Sequence, residues 1–160
     1  MDTAAATLLT GAGATAATDL WALARKRWLD VPLPDYGLVG RWLAHMPRGR
    51  VRHDSIKATL PVRGERWIGW TAHYLIGISF AAILPAALGA EWFRQPAIGP
   101  ALAVGLATVA APFLLMQPGM GAGIAASRTP RPAAARLQSL VTHAVFGLGL
   151  YAGALINTLF

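Results

Sequence analysis

The chain contains no cysteine and few charged residues, and these two absences exclude several classes of protein. Without cysteine there is no disulfide, no catalytic thiol and no zinc–thiolate site. Charged residues make up 13% of the sequence, about half of the roughly 25% that is usual in a soluble domain. Hydrophobic residues make up 55%, and the apolar runs are long. This composition predicts an integral membrane protein of the all-α class.

Acidic residues are scarcer than basic ones. The sequence has 14 Lys and Arg residues against 7 Asp and Glu, which gives a net charge of +7. In a soluble protein this excess would indicate a nucleic-acid partner. Here the basic residues fall between the apolar runs, so we attribute them to membrane topology and expect no nucleic acid to bind.

Four apolar stretches approach the roughly 20 residues that a bilayer-spanning helix needs. We expect them to form one transmembrane domain over residues 1–160. The first stretch is the weakest candidate, because it contains Asp19 and is rich in Ala, Gly and Thr. The sequence therefore predicts a four-helix membrane bundle with spans at residues 4–24, 67–88, 97–116 and 137–159.

The loops between these stretches predict their orientation. Residues 25–66 hold ten basic and four acidic side chains, and residues 117–136 hold three arginines and no acid. Residues 89–96 carry only Glu91 and Arg94. By the positive-inside rule, loops 25–66 and 117–136 are cytoplasmic. We therefore expect both termini to lie on the side of the membrane opposite the cytoplasm.

The first cytoplasmic loop contains a predicted short helix. Asp35 is placed to cap a helix over residues 36–46. We interpret it as an interfacial amphipathic helix on the cytoplasmic membrane surface, the alternative being a helix that covers the end of the bundle. The basic turn at 47–53 is expected near anionic lipid headgroups, and we predict His45 and His53 to be surface residues. The apolar face of the helix consists of Val39, Trp42, Leu43 and Met46.

One motif occurs twice in the sequence. An arginine is followed seven residues later by a histidine, and four residues after that by a glycine. Each copy opens a span that leaves the cytoplasmic side, so we predict a 2+2 internal repeat whose halves are related by an axis along the membrane normal. The first and third spans match more weakly, through Gly11 and Gly105. The two copies are Arg66, His73 and Gly77 in the second span and Arg136, His143 and Gly147 in the fourth.

Polar side chains of all four spans are predicted to share one level near the cytoplasmic face. At 1.5 Å per residue the two histidines lie about 9 Å deep. Glycines and alanines recur on their helix faces, and such small residues are typical of contacts between helices. An ionisable residue inside a membrane span is costly and indicates function. The predicted binding residues are Asp19, His73, Gln117 and His143, with Arg66 and Arg136 at the cytoplasmic mouths of their spans.

Four interpretations of this polar layer remain open. It is a hydrogen-bond network that locks the bundle, an Asp–His site for a proton or cation, a metal or haem site with His73 and His143 as ligands, or a pocket for a lipid or small molecule. Arg66 and Arg136 are either snorkelling anchors or clamps for an anion. No catalytic Ser–His–acid set or carboxylate pair is present at a readable spacing, so we favour a non-enzymatic protein.

The leading hypothesis is therefore binding or transport of an ion, a proton or a small molecule. The alternatives are a haem- or metal-binding redox protein and a structural or assembly subunit of a membrane complex. So small a bundle is also compatible with a homo-oligomer. Pro112 is expected to kink the third span, and the glycine-rich run 117–123 is expected to form a turn or a close helix contact.

A set of short motifs spread along nearly the whole chain carries a family resemblance. The motifs are Val39-Gly40-Arg41-Trp42 with His45 and 47–49, Arg63-Gly64-Glu65 with His73-Tyr74, residues 112–118, residues 125–130, and His143 with 146–151. In these motifs the chain resembles a bacterial membrane-protein family, domain of unknown function twenty-nine thirty-eight. The resemblance implies a small bacterial inner-membrane protein, with both termini in the periplasm, and supplies no activity, cofactor or site residue.

Overall fold

A computed structural model describes residues 2–159 of the chain, and within that range every regular element is helical. The predicted all-α class is confirmed. Short 3-10 turns occupy Met46–Arg48, Ile56–Ala58, Ala90–Phe93 and Ile124–Ala126, and a π-helical turn covers Pro112–Met116. The α-helices are α1 (Thr3–Leu29), α2 (Tyr36–His45), α3 (Glu65–Ala81), α4 (Ile83–Leu88), α5 (Ile98–Ala107), α6 (Gln117–Gly119) and α7 (Pro132–Asn157).

The chain divides into two compact units. Unit 1 consists of the chain up to Leu33, Tyr74–Thr108 and the chain from Leu140 onward. Unit 2 consists of Pro34–His73 and Val109–Ser139. Unit 2 therefore contains most of the two loops that the sequence predicts to be cytoplasmic.

Three helical stretches of residues 2–159 are long and apolar enough to cross a membrane, which is typical of a membrane protein. They cover the second, third and fourth spans predicted from sequence. α1 is 27 residues long but is not among them, because its Thr and Gly residues and Asp19 lower its mean hydropathy. The three stretches are Glu65–Leu88, Ile98–Gly119 and Pro132–Asn157.

Proline interrupts the stretch Ile98–Gly119, which is the third span predicted from sequence, as expected. α5 ends at Ala107, and the chain then forms the π-helical turn that starts at Pro112. Proline has no N–H to donate to the carbonyl of Thr108, four residues earlier, so a regular α-helix cannot continue through this point. The predicted kink is therefore a break in the helical hydrogen bonding between α5 and α6.

Small residues bring the helices of unit 1 into contact. A Cβ atom on Gly11 of α1 would meet the backbone of Ile78 in α3, and one on Gly105 of α5 would meet the backbone of Gly147 in α7. Glycine is therefore required for these close approaches. The larger side chains buried around them are Leu84, Trp92, Phe93, Phe146 and Leu150.

In unit 2, helix α2 packs directly on the first turns of α3. A Cβ on Gly40 would clash with the carbonyl of Glu65, and a Cβ on Gly69 would clash with the carbonyl of Tyr36. The N-terminus of α2 is capped as predicted, since Asp35 Oδ1 accepts a hydrogen bond from the Gly37 N–H at 2.9 Å. Placement of α2 on the membrane surface and placement over the end of the bundle both stay predictions.

Candidate functional site

His73 lies in an aromatic cluster of unit 2. Its Nε2 is 3.0 Å from the hydroxyl of Tyr36, and the two rings stack with centroids 4.1 Å apart. Trp70 packs against Tyr36 at 4.6 Å. The backbone contact between Gly69 and Tyr36 sets this geometry, because it places the first turn of α2 against α3. His73 thus joins α2 to α3 through a hydrogen bond and a ring stack.

Asp19 has a hydroxyl partner in unit 1. Tyr74 donates a hydrogen bond to Asp19 Oδ2 at 3.0 Å. Asp19 belongs to α1, and Tyr74 lies within the candidate span Glu65–Leu88. The carboxylate therefore sits at the level of a residue well inside that span.

His143 also bonds a hydroxyl in unit 1. The Thr108 hydroxyl donates to the carbonyl of Gly105 at 2.6 Å, which uses the only proton of the hydroxyl group. The 2.9 Å contact between Thr108 Oγ1 and His143 Nδ1 must then be donated by the ring. We therefore assign the proton to Nδ1, which leaves Nε2 as an acceptor.

The remaining predicted binding residues have unlike environments. Gln117 Oε1 is buried and has no hydrogen-bond partner among residues 2–159. Arg66 is exposed, and the exposed Arg136 donates from Nε to the carbonyl of Ala125 at 2.8 Å. Asp19 and His143 belong to unit 1, whereas His73 and Gln117 belong to unit 2. A single layer shared by all four stays a prediction.

The partners of the predicted residues were missed by sequence reasoning. Tyr36, Tyr74 and Thr108 each supply a hydroxyl to an ionisable side chain. The sequence carries a signal for two of these partners. Tyr74 directly follows His73. Thr108 lies four residues before Pro112, which has no N–H to donate to the Thr108 carbonyl.

An ion pair joins α2 to the start of α3. Arg41 donates from Nε and Nη2 to the two carboxylate oxygens of Glu65 at 2.8 and 2.7 Å, and from Nη1 to the carbonyl of Thr59 at 2.8 Å. Its side chain is buried, although the helical periodicity places it off the apolar face of α2. The hydrogen bonds that Arg41 donates to Glu65 raise the pKa of the guanidinium above its usual range.

His45 and His53 form a buried pair, so their prediction as surface residues is wrong. His45 Nδ1 lies 3.0 Å from His53 Nε2, and His53 Nδ1 lies 3.4 Å from the carbonyl of Gly119. The glycine-rich run packs closely against this segment, since a Cβ on Gly121 would clash with the carbonyls of His53 and Asp54. Burial, and then the nearby His53, lower the pKa of His45.

With this geometry established, one comparison identifies the family. A family model described as Protein of unknown function (DUF2938) matches residues 8–157. The chain belongs to this family. The resemblance predicted from sequence is thereby confirmed. No curated protein and no solved structure matches the chain.

Clusters of metal-binding side chains bear on the metal or haem site that the sequence predicts at His73 and His143. Among residues 2–159, no group of three or more His, Asp or Glu side chains lies close enough together to hold a metal ion. His73 Nε2 and His143 Nδ1 are both engaged with hydroxyl groups. Metal or haem ligation by these two histidines stays a prediction.

Proposed function

We propose that this DUF2938 protein is a four-span bacterial inner-membrane protein that binds and conducts a proton or a small cation at the Asp19–Tyr74 pair. The observation that carries the proposal is the 3.0 Å hydrogen bond between the Asp19 carboxylate and a hydroxyl inside a candidate span. A carboxylate at that level is costly unless a proton, a cation or hydrogen-bond donors compensate its charge.

Contacts along α1 support it as the fourth span. Gly11 meets Ile78, and Thr15 lies against Gly77, in the region where α3 is part of a candidate span. Asp19 then meets Tyr74. These α1 residues are four apart, so they form one face of a helix that runs antiparallel to α3. Leu9 and Leu20, which point away from this face, are exposed, as lipid-facing side chains would be.

The same contacts support the internal repeat. In the first pair of helices, a Cβ on Gly77 would approach the carbonyl of Gly11, and in the second pair, Gly105 packs on Gly147. These are the glycines that the repeat matches with one another. The polar partners are not repeated, since Asp19 of α1 serves the first pair and Thr108, directly after α5, serves the second.

The chemistry of the pair suits reversible binding. When Asp19 is ionised, the Tyr74 hydroxyl stabilises its charge by one donated hydrogen bond. A carboxylate loses hydrating water in a membrane, so the site also favours the binding of a proton or a cation. His143 of the same unit provides a second titratable group, with Nε2 as its free acceptor under our assignment.

Proton flux in reconstituted liposomes tests this function. Vesicles that enclose a pH-sensitive dye receive a potassium diffusion potential, and the rate of internal acidification is measured. We expect flux above that of protein-free vesicles, loss of that excess in Asp19→Asn, and retention in Asp30→Asn, where an exposed carboxylate at the end of α1 is removed. Wild-type flux equal to that of empty vesicles, for protons and for sodium or potassium in the same assay, would refute the proposal.

The orientation has its own test, because the chain contains no cysteine. Single cysteines can be introduced at the exposed positions Gln95 and Lys57 without any background label. The proposed topology, with both termini periplasmic, predicts that a membrane-impermeant maleimide labels Gln95→Cys in spheroplasts. Lys57→Cys should be labelled only after the membrane is permeabilised. The reverse labelling pattern would show that the orientation is opposite to the one proposed.

A further inference from the structure

Unit 2 contains an open cleft that the proposed function does not use. It has a volume of about 1040 Å³, which is ample for a small ligand, since such sites usually measure about 300–1,000 Å³. One wall is the basic turn after α2, and the other is the turn that precedes α7. All of its lining residues belong to unit 2.

The walls of this cleft are strongly basic. Arg48, Arg50 and Arg52 line one wall and Arg128 lines the other, against a single acidic lining residue, Asp54. All four arginines are exposed. Their guanidinium groups keep their donors available, since no hydrogen bond or ion pair joins them to another residue of the described range 2–159. Like charges gathered in this way repel one another unless an anion neutralises them.

The buried histidine pair forms part of the same cleft. His45 and His53 both line it, and both are less than one tenth exposed. Because the Gly119 carbonyl can only accept, we assign a proton to His53 Nδ1, which makes His53 Nε2 the acceptor for His45 Nδ1–H. The pair thereby fixes the basic turn against the glycine-rich run.

Backbone hydrogen bonds hold both walls in place. On one side, His53 N donates to the Gly119 carbonyl at 2.9 Å and Ile56 N to the Met120 carbonyl at 3.1 Å. On the other, Arg128 N donates to the Ala122 carbonyl at 2.8 Å. The arginines therefore project from a fixed frame, which lowers the entropy that a ligand must offset on binding.

We propose that this cleft binds a phosphate-bearing anion, either a phosphate ester in solution or the headgroup of a membrane lipid. Guanidinium groups match phosphate oxygens with paired, charge-assisted hydrogen bonds. Arginines on two facing walls suit an anion that is contacted from both sides. The proposal does not depend on Asp19 or on ion conduction.

Titration of the full-length protein with inorganic pyrophosphate tests the proposal. The protein is placed in nanodiscs of phosphatidylcholine, and binding is measured by calorimetry. We expect binding that weakens about tenfold in Arg50→Gln or Arg128→Gln, which corresponds to one charge-assisted contact. Arg131→Gln is the matched control, because Arg131 is an exposed arginine close to Arg128 that does not line the cleft.

A second arm distinguishes the two sources of phosphate. Nanodiscs that contain phosphatidylglycerol are analysed by native mass spectrometry, and the lipid retained by each variant is counted. Retention that depends on Arg50 and Arg128 assigns the cleft to a lipid headgroup, whereas pyrophosphate binding without such retention assigns it to a soluble ester. The proposal is overturned if neither ligand binds, or if Arg131→Gln weakens binding as much as Arg128→Gln.

Discussion

The two units of the chain share close glycine contacts and hydroxyl hydrogen bonds, and unit 2 adds buried pairs of ionisable side chains. In unit 1, helices meet through glycine and threonine, and the polar contacts are short hydrogen bonds to hydroxyl groups. In unit 2, a bidentate ion pair and a histidine pair join α2 to its neighbours. Close packing of small residues is typical of helices in lipid, and paired charges are typical of segments in contact with water. One short chain thus uses both strategies.

Loss of the Arg41–Glu65 ion pair in unit 2 should have the strongest effect on the stability of the fold. Glu65→Gln leaves the buried guanidinium of Arg41 without its counter-charge, and the Glu65 side chain is 19% exposed. Breaking a buried pair costs about 3–5 kcal/mol, so with some solvent screening we expect a loss of about 2–3 kcal/mol in the free energy of unfolding. Tryptophan fluorescence during denaturation measures it.

The matched control is the exposed ion pair of unit 1. Arg94 and Glu91 are 79% and 64% exposed, so Glu91→Gln should cost less than about 1 kcal/mol. If Glu65→Gln and Glu91→Gln lower the free energy of unfolding equally, the distinction between the two units is contradicted.

The second effect concerns helix packing in unit 1. Gly11→Leu forces a side chain into the backbone of Ile78, whereas a Cβ added to Gly13 of the same helix would have nothing within 4 Å. Overpacking costs about 1–3 kcal/mol, so Gly11→Leu should lower the thermal midpoint clearly. Gly13→Leu should leave it nearly unchanged. If both variants melt alike, α1 does not pack on α3 through this face.

A smaller effect is expected where a hydroxyl binds a histidine. Thr108→Val removes the acceptor of His143 Nδ1–H, and a lost neutral hydrogen bond costs about 0.5–1.5 kcal/mol. Thr71→Val, at an exposed position of α3, is the control. A Thr108→Val protein as stable as the Thr71→Val protein would contradict the assigned hydrogen bond.

The weakest effect is a pH dependence in unit 2. Because burial and His53 lower the pKa of His45 in the folded state, the unfolded chain takes up the proton first, near pH 6.5. The contribution of His45 to the free energy of unfolding is therefore fully present above that pH, and it is lost as the pH falls below it. His45→Gln should flatten this part of the profile of thermal midpoint against pH. Lys57→Gln, which changes an exposed group that does not titrate there, should retain the wild-type slope.

Much of the helical fold could be predicted from the sequence, because its signals are local. Apolar runs indicated the three candidate spans, Asp35 indicated the start of α2, and Pro112 indicated the break after α5. The family followed from short motifs and is confirmed. These features depend on neighbouring residues alone.

The partners within the candidate site depend on tertiary contacts instead. The burial of His45 and His53 follows from close packing at Gly119 and Gly121, which a sequence pattern does not reveal. Likewise, periodicity placed Arg41 off the apolar face of α2, yet Glu65 compensates its charge and allows it to be buried. Tyr36 and Tyr74 were missed because hydroxyl groups carry no charge signal.

Infrared spectroscopy can follow the protonation of Asp19 itself, on which the proposed binding of a proton or cation depends. Difference spectra are recorded between acidic and alkaline samples of the protein reconstituted in lipid. We expect the carbonyl band of protonated carboxyl groups to lose one component in Asp19→Asn and to keep it in Asp30→Asn. Tyr74→Phe should shift this component, because it removes the 3.0 Å hydrogen bond. A band that is unchanged in Asp19→Asn would contradict a titrating carboxylate at this position.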